Sequence, residues 1–137
     1  QDRKFHEASG ALQTILYKGL IENLLRTPSC AGFQMLSMTD YSGQGEALVG
    51  WLDSFWDSKG IITPEQFRCY SNDIVPLARF HKYTWQTDET FKAQIQVANY
   101  SDTTLITPTI WTLTDETGKL QQQGSREVPL SSGKVIR

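Results

Sequence analysis

The first stretch of the chain has the hydrophobic spacing of an amphipathic helix, over residues 5–26. Its apolar residues recur every three or four positions, which places them on one face of a helix. That face consists of Ala8, Leu12, Ile15, Leu16, Leu20, Ile21, Leu24 and Leu25. Pro28 is predicted to end the helix, because proline has no amide hydrogen and restricts the residue before it.

A central strand and a polar loop are predicted next. The apolar residues at positions 33–38 barely alternate with polar ones, which is typical of a strand covered on both faces in a parallel sheet. Thr39 and Asp40 end this run, and a loop of small and polar residues follows at positions 41–45. In a strand–loop–helix unit, ligands bind where the loop follows the carboxyl end of the strand.

Two further helices are predicted beyond this loop. The first covers about residues 46–58, with Gly60 as a left-handed cap. Its apolar residues are Leu48, Trp51, Leu52, Phe55 and Trp56. The aromatic members are expected in the core, although aromatic side chains also suit a carbohydrate platform. The second helix begins after Thr63, because Thr63, Pro64 and Gln66 match a capping box with proline at the first helical position. Its expected buried residues are Phe67, Tyr70, Ile74 and Val75.

Strand periodicity replaces helical periodicity in the second half of the chain. Apolar and polar residues alternate at positions 91–99 and again at 110–114, as in half-buried antiparallel strands. Residues 115–118 predict a turn, and residues 119–124 a return strand. Residues from about Phe80 onward are therefore predicted to form a β-sandwich joined to an α/β part.

Neither half accounts for a complete fold. Two or three helices with one strand cannot close a parallel sheet, and three or four strands form at most half of a sandwich. The chain is therefore expected to be a segment of a longer protein. Such a segment is expected to expose apolar surface and to self-associate.

Composition and charge narrow the range of functions. The 137 residues carry a net charge of −2 and no basic run, which argues against a nucleic-acid partner. No stretch approaches the ~20 apolar residues of a membrane-spanning helix. Cys30 and Cys69 are far apart in the sequence, and we expect free thiols there rather than a disulfide or a metal pair.

Asp40, Tyr41 and Gln44 are the candidate ligand-binding residues. A carboxylate at the end of a strand can accept a strong, charge-assisted hydrogen bond from a sugar hydroxyl. The alternative is that Asp40 only caps the following turn.

Other motifs in the chain are incomplete. Gly43 and Gly45 lack the third glycine of a dinucleotide-binding loop, since Leu48 stands in its place. His6 begins like the zinc-protease motif, but Gly10 replaces the second histidine. The sequence therefore predicts no metal site, no cofactor and no catalytic residue.

Two sets of short segments resemble a known family, and the resemblance is more specific for the joined sets than for any single segment. The first set covers residues 32–36, 40–45, 47–50, 57–60 and 62–65, and the second covers residues 75–80, 82–85 and 91–93. The first set resembles the end of the catalytic barrel in glycoside hydrolase family 2-like enzymes, the bacterial relatives of β-galactosidase and β-glucuronidase. The second set resembles the junction to the immunoglobulin-like domain that follows the barrel.

The resemblance implies an α+β fragment: the last β/α units of a TIM barrel, followed by an antiparallel β-sandwich segment. Residues 1–78 would be the C-terminal portion of the (β/α)8 barrel, and residues 79–137 an incomplete immunoglobulin-like sandwich. Residues 33–39 would be the eighth barrel strand and residues 5–26 the helix before it. Family members hydrolyse glycosides with retention, using two glutamates. The resemblance places both upstream of Gln1, and none of Glu7, Glu22 and Glu46 matches their motifs.

The expected function is therefore that of a C-terminal fragment of a retaining exo-glycosidase, inactive alone and acting on β-linked glycans within the longer protein. Asp40, Tyr41 and Gln44 would border the carbohydrate substrate, and a periplasmic or extracellular location is implied. One alternative is a non-catalytic β-sandwich module that binds carbohydrate or protein, and another is a structural piece between domains.

Overall fold

The structure is a computed structural model that describes residues 1–44 and 48–136. It divides into two compact units, Gln1–Val75 and Pro76–Arg137, whereas the sequence predicts a boundary between residues 78 and 79. None of the described helices is both long and apolar enough to cross a membrane.

The first unit begins with helix α1, Asp2–Leu25, which confirms the predicted helix. On the face predicted to be buried, Ile21 is buried as expected, but most of the other residues are exposed because a neighbouring stripe makes the contacts. The exposed fraction exceeds one half for Leu12, Ile15, Leu16 and Leu20. Gly10 is buried against Ile61, and a Cβ atom on Gly10 would lie only 2.8 Å from the Ile61 side chain.

The predicted central strand is wrong. Residues 33–38 form no strand, and Thr39 makes only an isolated parallel bridge to Leu52. Ser37 has a φ of 66°, which interrupts the extended backbone that a strand requires. One bridge cannot satisfy the backbone hydrogen bonds of a strand meant to lie inside a parallel sheet.

The predicted helix at 46–58 is also wrong over the part that the structure describes; residues 46 and 47 lie outside that part. Residues 48–58 form turns and a bridge from Leu52 to Ser58. The Asp53 carboxylate accepts hydrogen bonds from the Phe55 and Asp57 N–H groups at 2.8 and 3.0 Å, a local turn that competes with a helix. Trp56 has a φ of 71° and is 70% exposed.

The second short helix, α2, follows its predicted start. It covers Pro64–Arg68, and Thr63 and Gln66 form the capping box. It is shorter than predicted, because Ile74 and Val75 belong to a strand and not to the helix.

An aromatic cluster forms the core of the first unit. Trp51 is only 6% exposed and meets Tyr17 of α1 edge-on, with ring centroids 4.9 Å apart. Phe67 contacts Trp51 at 5.2 Å and Tyr70 at 5.4 Å. Such edge-to-face pairs add to the stabilisation from buried area. The core prediction therefore holds for Trp51 but not for Phe55, which is 85% exposed.

The second unit consists of two small antiparallel sheets. The strands are β1 Ile74–Arg79, β2 Gln94–Asn99, β3 Leu105–Thr114, β4 Leu120–Leu130 and β5 Lys134–Ile136. The order is β1-β2-β5 in one sheet and β3-β4 in the other. The predicted strands at 91–99, 110–114 and 119–124 correspond to β2, β3 and β4, whereas β1 and β5 were not predicted. Gly118 closes the β3–β4 turn with a φ of 82°.

The predicted fold class is wrong. The described residues contain one long helix, one short helix and antiparallel sheets, without the β/α units of a TIM barrel. The wrong fold class follows from two wrong element predictions. An apolar run predicted a strand at residues 33–38, and an amphipathic spacing predicted a helix that does not form over the described residues 48–58.

Candidate functional site

Asp40 is at the centre of a polar contact that joins three parts of the first unit. Its Oδ1 accepts a hydrogen bond of 2.8 Å from the Gly50 N–H. The Lys59 Nζ lies 3.0 Å from both carboxylate oxygens. The two side chains are only 11% and 16% exposed, so this ion pair is largely shielded from water.

The pKa of Asp40 is lowered from its ordinary value of 3.8. Burial acts in the opposite direction, because it disfavours the charged form, but the donors around the carboxylate outweigh it. These are the Lys59 side chain, the Gly50 N–H and the positive charges of Lys59 and His6. The carboxylate is therefore firmly ionised at neutral pH.

The backbone around Asp40 is fixed by close contacts. The Asp40 N–H donates to the Leu52 carbonyl at 2.9 Å, and the Trp51 N–H donates to the Met38 carbonyl at 3.0 Å. Gly50 fits between these backbone segments only because it has no side chain. A Cβ atom there would lie 2.5 Å from Asp40 N and 2.7 Å from the Leu52 carbonyl oxygen.

Tyr41 and Gln44 belong to the same loop as Asp40 but are oriented toward solvent. Tyr41 is 61% exposed, and Gln44 is exposed as well. The Tyr41 ring lies directly against Gly43, where an added Cβ would overlap the phenol. The structure therefore brings the three predicted residues into one turn, with the carboxylate inside and the phenol and amide outside. Whether they contact a sugar stays a prediction.

A groove of about 430 Å³ adjoins the ion pair. It lies between α1 and residues 48–61, and its polar lining includes His6, Gln13, Tyr17 and Lys59. The Gln13 side-chain amide donates to the Val49 carbonyl. His6 was predicted to be an exposed helix residue, and it is exposed on α1; the sequence did not indicate its electrostatic effect on Asp40.

The sequence contained a signal for the groove residues, namely their spacing along α1. His6, Gly10, Gln13 and Tyr17 recur at intervals of three or four, so they share one face of α1. This stripe contains a glycine and polar residues, whereas the stripe chosen by the hydrophobic pattern contains leucines. Close approach at Gly10 decides which face meets the rest of the unit.

The arrangement around Asp40 suits positioning and hydrogen bonding rather than bond cleavage. Within the described residues, the groups that act on the Asp40 pKa are Lys59, the Gly50 N–H and His6, and none of them is a carboxylate. Retaining glycoside hydrolysis needs two carboxyl groups about 5 Å apart. In the part of the chain that the structure describes, no three His, Cys, Asp or Glu side chains are grouped to hold a metal ion. Cys30 and Cys69 are free thiols.

No protein-family model matches this chain, and no curated protein shows significant sequence similarity to it. The resemblance to glycoside hydrolase family 2 therefore stays a prediction from the residues themselves.

Proposed function

We propose that this chain is a non-catalytic part of a retaining exo-glycosidase that acts on β-linked glycans, with residues 41–44 bordering the sugar. The observation that carries the proposal is the convergence of three of the resembling segments on one carboxylate. Asp40, Gly50 and Lys59 come from separate segments of the resemblance and meet through contacts of 2.8 to 3.0 Å.

The chemistry of the loop supports a binding role. The ion pair fixes the backbone from which the Tyr41 phenol and the Gln44 amide reach solvent. Both groups donate and accept hydrogen bonds, which matches the hydroxyl groups of a sugar. The groove lined by His6, Gln13 and Lys59 supplies further polar groups beside the ion pair. Asp40 acts in this proposal as a positioning residue, since its carboxylate already has partners.

The catalytic glutamates are contributed, in this proposal, by another part of the longer protein. The 137-residue chain should therefore give only background release of nitrophenol from nitrophenyl β-galactoside and β-glucuronide. Turnover that Asp40→Asn abolishes would contradict the proposal, because it would make Asp40 a catalytic residue.

The coding sequence upstream of Gln1 offers a second test. We expect roughly 300 or more further residues there with alternating strands and helices and two glutamates at strand ends. A start codon or a signal peptide immediately before Gln1 would contradict the glycosidase proposal and favour an independent binding module.

A further inference from the structure

The second unit contains a groove that does not depend on the loop at Asp40. It has a volume of about 450 Å³ and lies between β2 and one face of the β3–β4 hairpin. This volume falls in the range typical of small-ligand sites, about 300–1,000 Å³.

The hairpin face of the groove is built by cross-strand pairs. Trp111 is opposite Gly124, and Thr109 is opposite Arg126. Because side chains alternate along a strand, these two neighbouring pairs project on the same face. The Trp111 indole lies across Gly124, where a Cβ atom would be 2.6 Å from the ring. The missing side chain of Gly124 therefore leaves room for the indole, and Trp111 stays 36% exposed.

Two polar groups of the groove have side-chain atoms without a partner among the residues that the structure describes. Gln96 of β2 lines the groove and is only 3% exposed, yet its Oε1 accepts no hydrogen bond. A buried acceptor without a hydrogen bond destabilises the fold, and a donor from a ligand would remove that cost. Arg126, also in the lining, forms no ion pair with any carboxylate that the structure describes.

These groups specify the chemistry of a ligand. A flat indole offers its negatively charged face to the C–H groups of a sugar ring. The Gln96 carbonyl and the Thr109 hydroxyl suit sugar hydroxyls. The Arg126 guanidinium suits a carboxylate, to which it can donate two parallel hydrogen bonds. We propose that this groove binds a short acidic oligosaccharide, with Trp111 under a sugar ring, Arg126 on a uronic-acid carboxylate and Gln96 accepting from a hydroxyl.

The experiment is a titration of the ¹⁵N-labelled chain with a uronic-acid trisaccharide and with a neutral trisaccharide. The chain has four tryptophans, and the Trp111→Phe spectrum identifies the Trp111 indole N–H signal. We expect this signal to shift with the acidic sugar, and the acidic sugar to bind at least 10-fold more tightly than the neutral one.

Three variants separate binding from folding. Arg126→Gln should weaken binding of the acidic sugar at least 10-fold. Gly124→Ala should weaken it as well, because the new Cβ displaces the indole while every lining side chain is retained. Lys119→Gln removes the same charge at the hairpin turn and should change the affinity less than twofold. Circular dichroism checks that each variant is folded.

Several outcomes would overturn the proposal. One is the absence of a Trp111 shift with either sugar, and another is equal affinity for the two sugars. A change of less than twofold in a folded Arg126→Gln variant would do the same. If a longer version of the protein binds neither sugar and its Trp111 signal is already shifted, the groove holds a polypeptide strand instead.

Discussion

The Asp40 carboxylate and the Lys59 ammonium form a two-contact ion pair, with Nζ 3.0 Å from each oxygen, across 19 residues of chain. The carboxylate also accepts the Gly50 N–H. One side chain thus holds together the loop at 41–44, the chain at Gly50 and the turn before Gly60.

Removing the carboxylate should destabilise the first unit. Asp40→Ala leaves the Lys59 ammonium, only 16% exposed, and the Gly50 N–H without their acceptor, so we expect a loss of about 1–3 kcal/mol in the free energy of unfolding. Urea denaturation followed by tryptophan fluorescence, to which the buried Trp51 of the first unit contributes, reports this loss. The matched control is Glu7→Ala, which breaks the exposed pair with Arg3 and should cost less than about 0.5 kcal/mol. Equal losses in the two variants would show that the Asp40 contact is no stronger than a surface pair.

The same contact should appear in the pH dependence of stability. The Asp40 pKa in the folded chain lies below the ordinary value of 3.8. The folded state therefore gains stability from Asp40 above pH 3.8 and loses it as the pH falls through the lowered pKa. Asp40→Asn lacks this contribution, so the free energy of unfolding should fall less steeply below about pH 4 in the variant. Identical slopes for the two proteins would contradict this assignment.

The close approach at Gly50 gives a third prediction. Gly50→Ala places a Cβ 2.5 Å from Asp40 N, and backbone atoms on both sides cannot move apart cheaply, so a loss of about 1–3 kcal/mol is expected. Gly19→Ala is the matched control, since nothing lies within 4 Å of its Cβ position. In the middle of α1 this change should raise stability by up to about 1 kcal/mol. Thermal unfolding of the two variants should therefore shift in opposite directions, and a stable Gly50→Ala protein would contradict the packing described.

Sequence patterns correctly predicted the elements that are stabilised by contacts between residues close together in the sequence. The capping box at Thr63 and Gln66 is satisfied within four residues, and the β3–β4 hairpin closes at a turn that Asp115 and Gly118 define on their own. The helix prediction for residues 46–58 was wrong over the described residues 48–58, because the Asp53 carboxylate stabilises a turn that hydrophobic spacing does not reveal.

The partners of the candidate site are tertiary. Nothing near Asp40 in the sequence indicates that Lys59 will reach it. The buried face of α1 was predicted correctly at Ile21 but missed at Gly10, which permits close contact with Ile61 while the leucine stripe next to it stays exposed. The sequence placed Asp40, Tyr41 and Gln44 in one loop. It did not show that the Asp40 carboxylate would be buried while Tyr41 and Gln44 are exposed.

The exposed leucine stripe of α1 should promote self-association. Leu12, Leu16 and Leu20 are each more than half exposed, and contiguous apolar surface of this kind drives association. Sedimentation should show dimers or larger species of the 137-residue chain, and Leu12→Gln with Leu16→Gln should shift it toward monomer. The paired change Leu113→Gln and Leu120→Gln, at other exposed leucines, is the control. A wild-type chain that stays monomeric at high concentration would contradict this prediction.

The central claim is that the loop at 41–44 borders the sugar in a glycosidase, and Tyr41 tests it most directly. Tyr41 is 61% exposed, so Tyr41→Ala should leave the melting temperature nearly unchanged. Tyr83→Ala, at an 87% exposed tyrosine of the second unit, is the matched control. The measurement is kcat/KM of the longer protein on nitrophenyl β-glycosides. The account predicts a loss of about 10-fold for Tyr41→Ala and no change for Tyr83→Ala; a kcat/KM within twofold of wild type for Tyr41→Ala would contradict it.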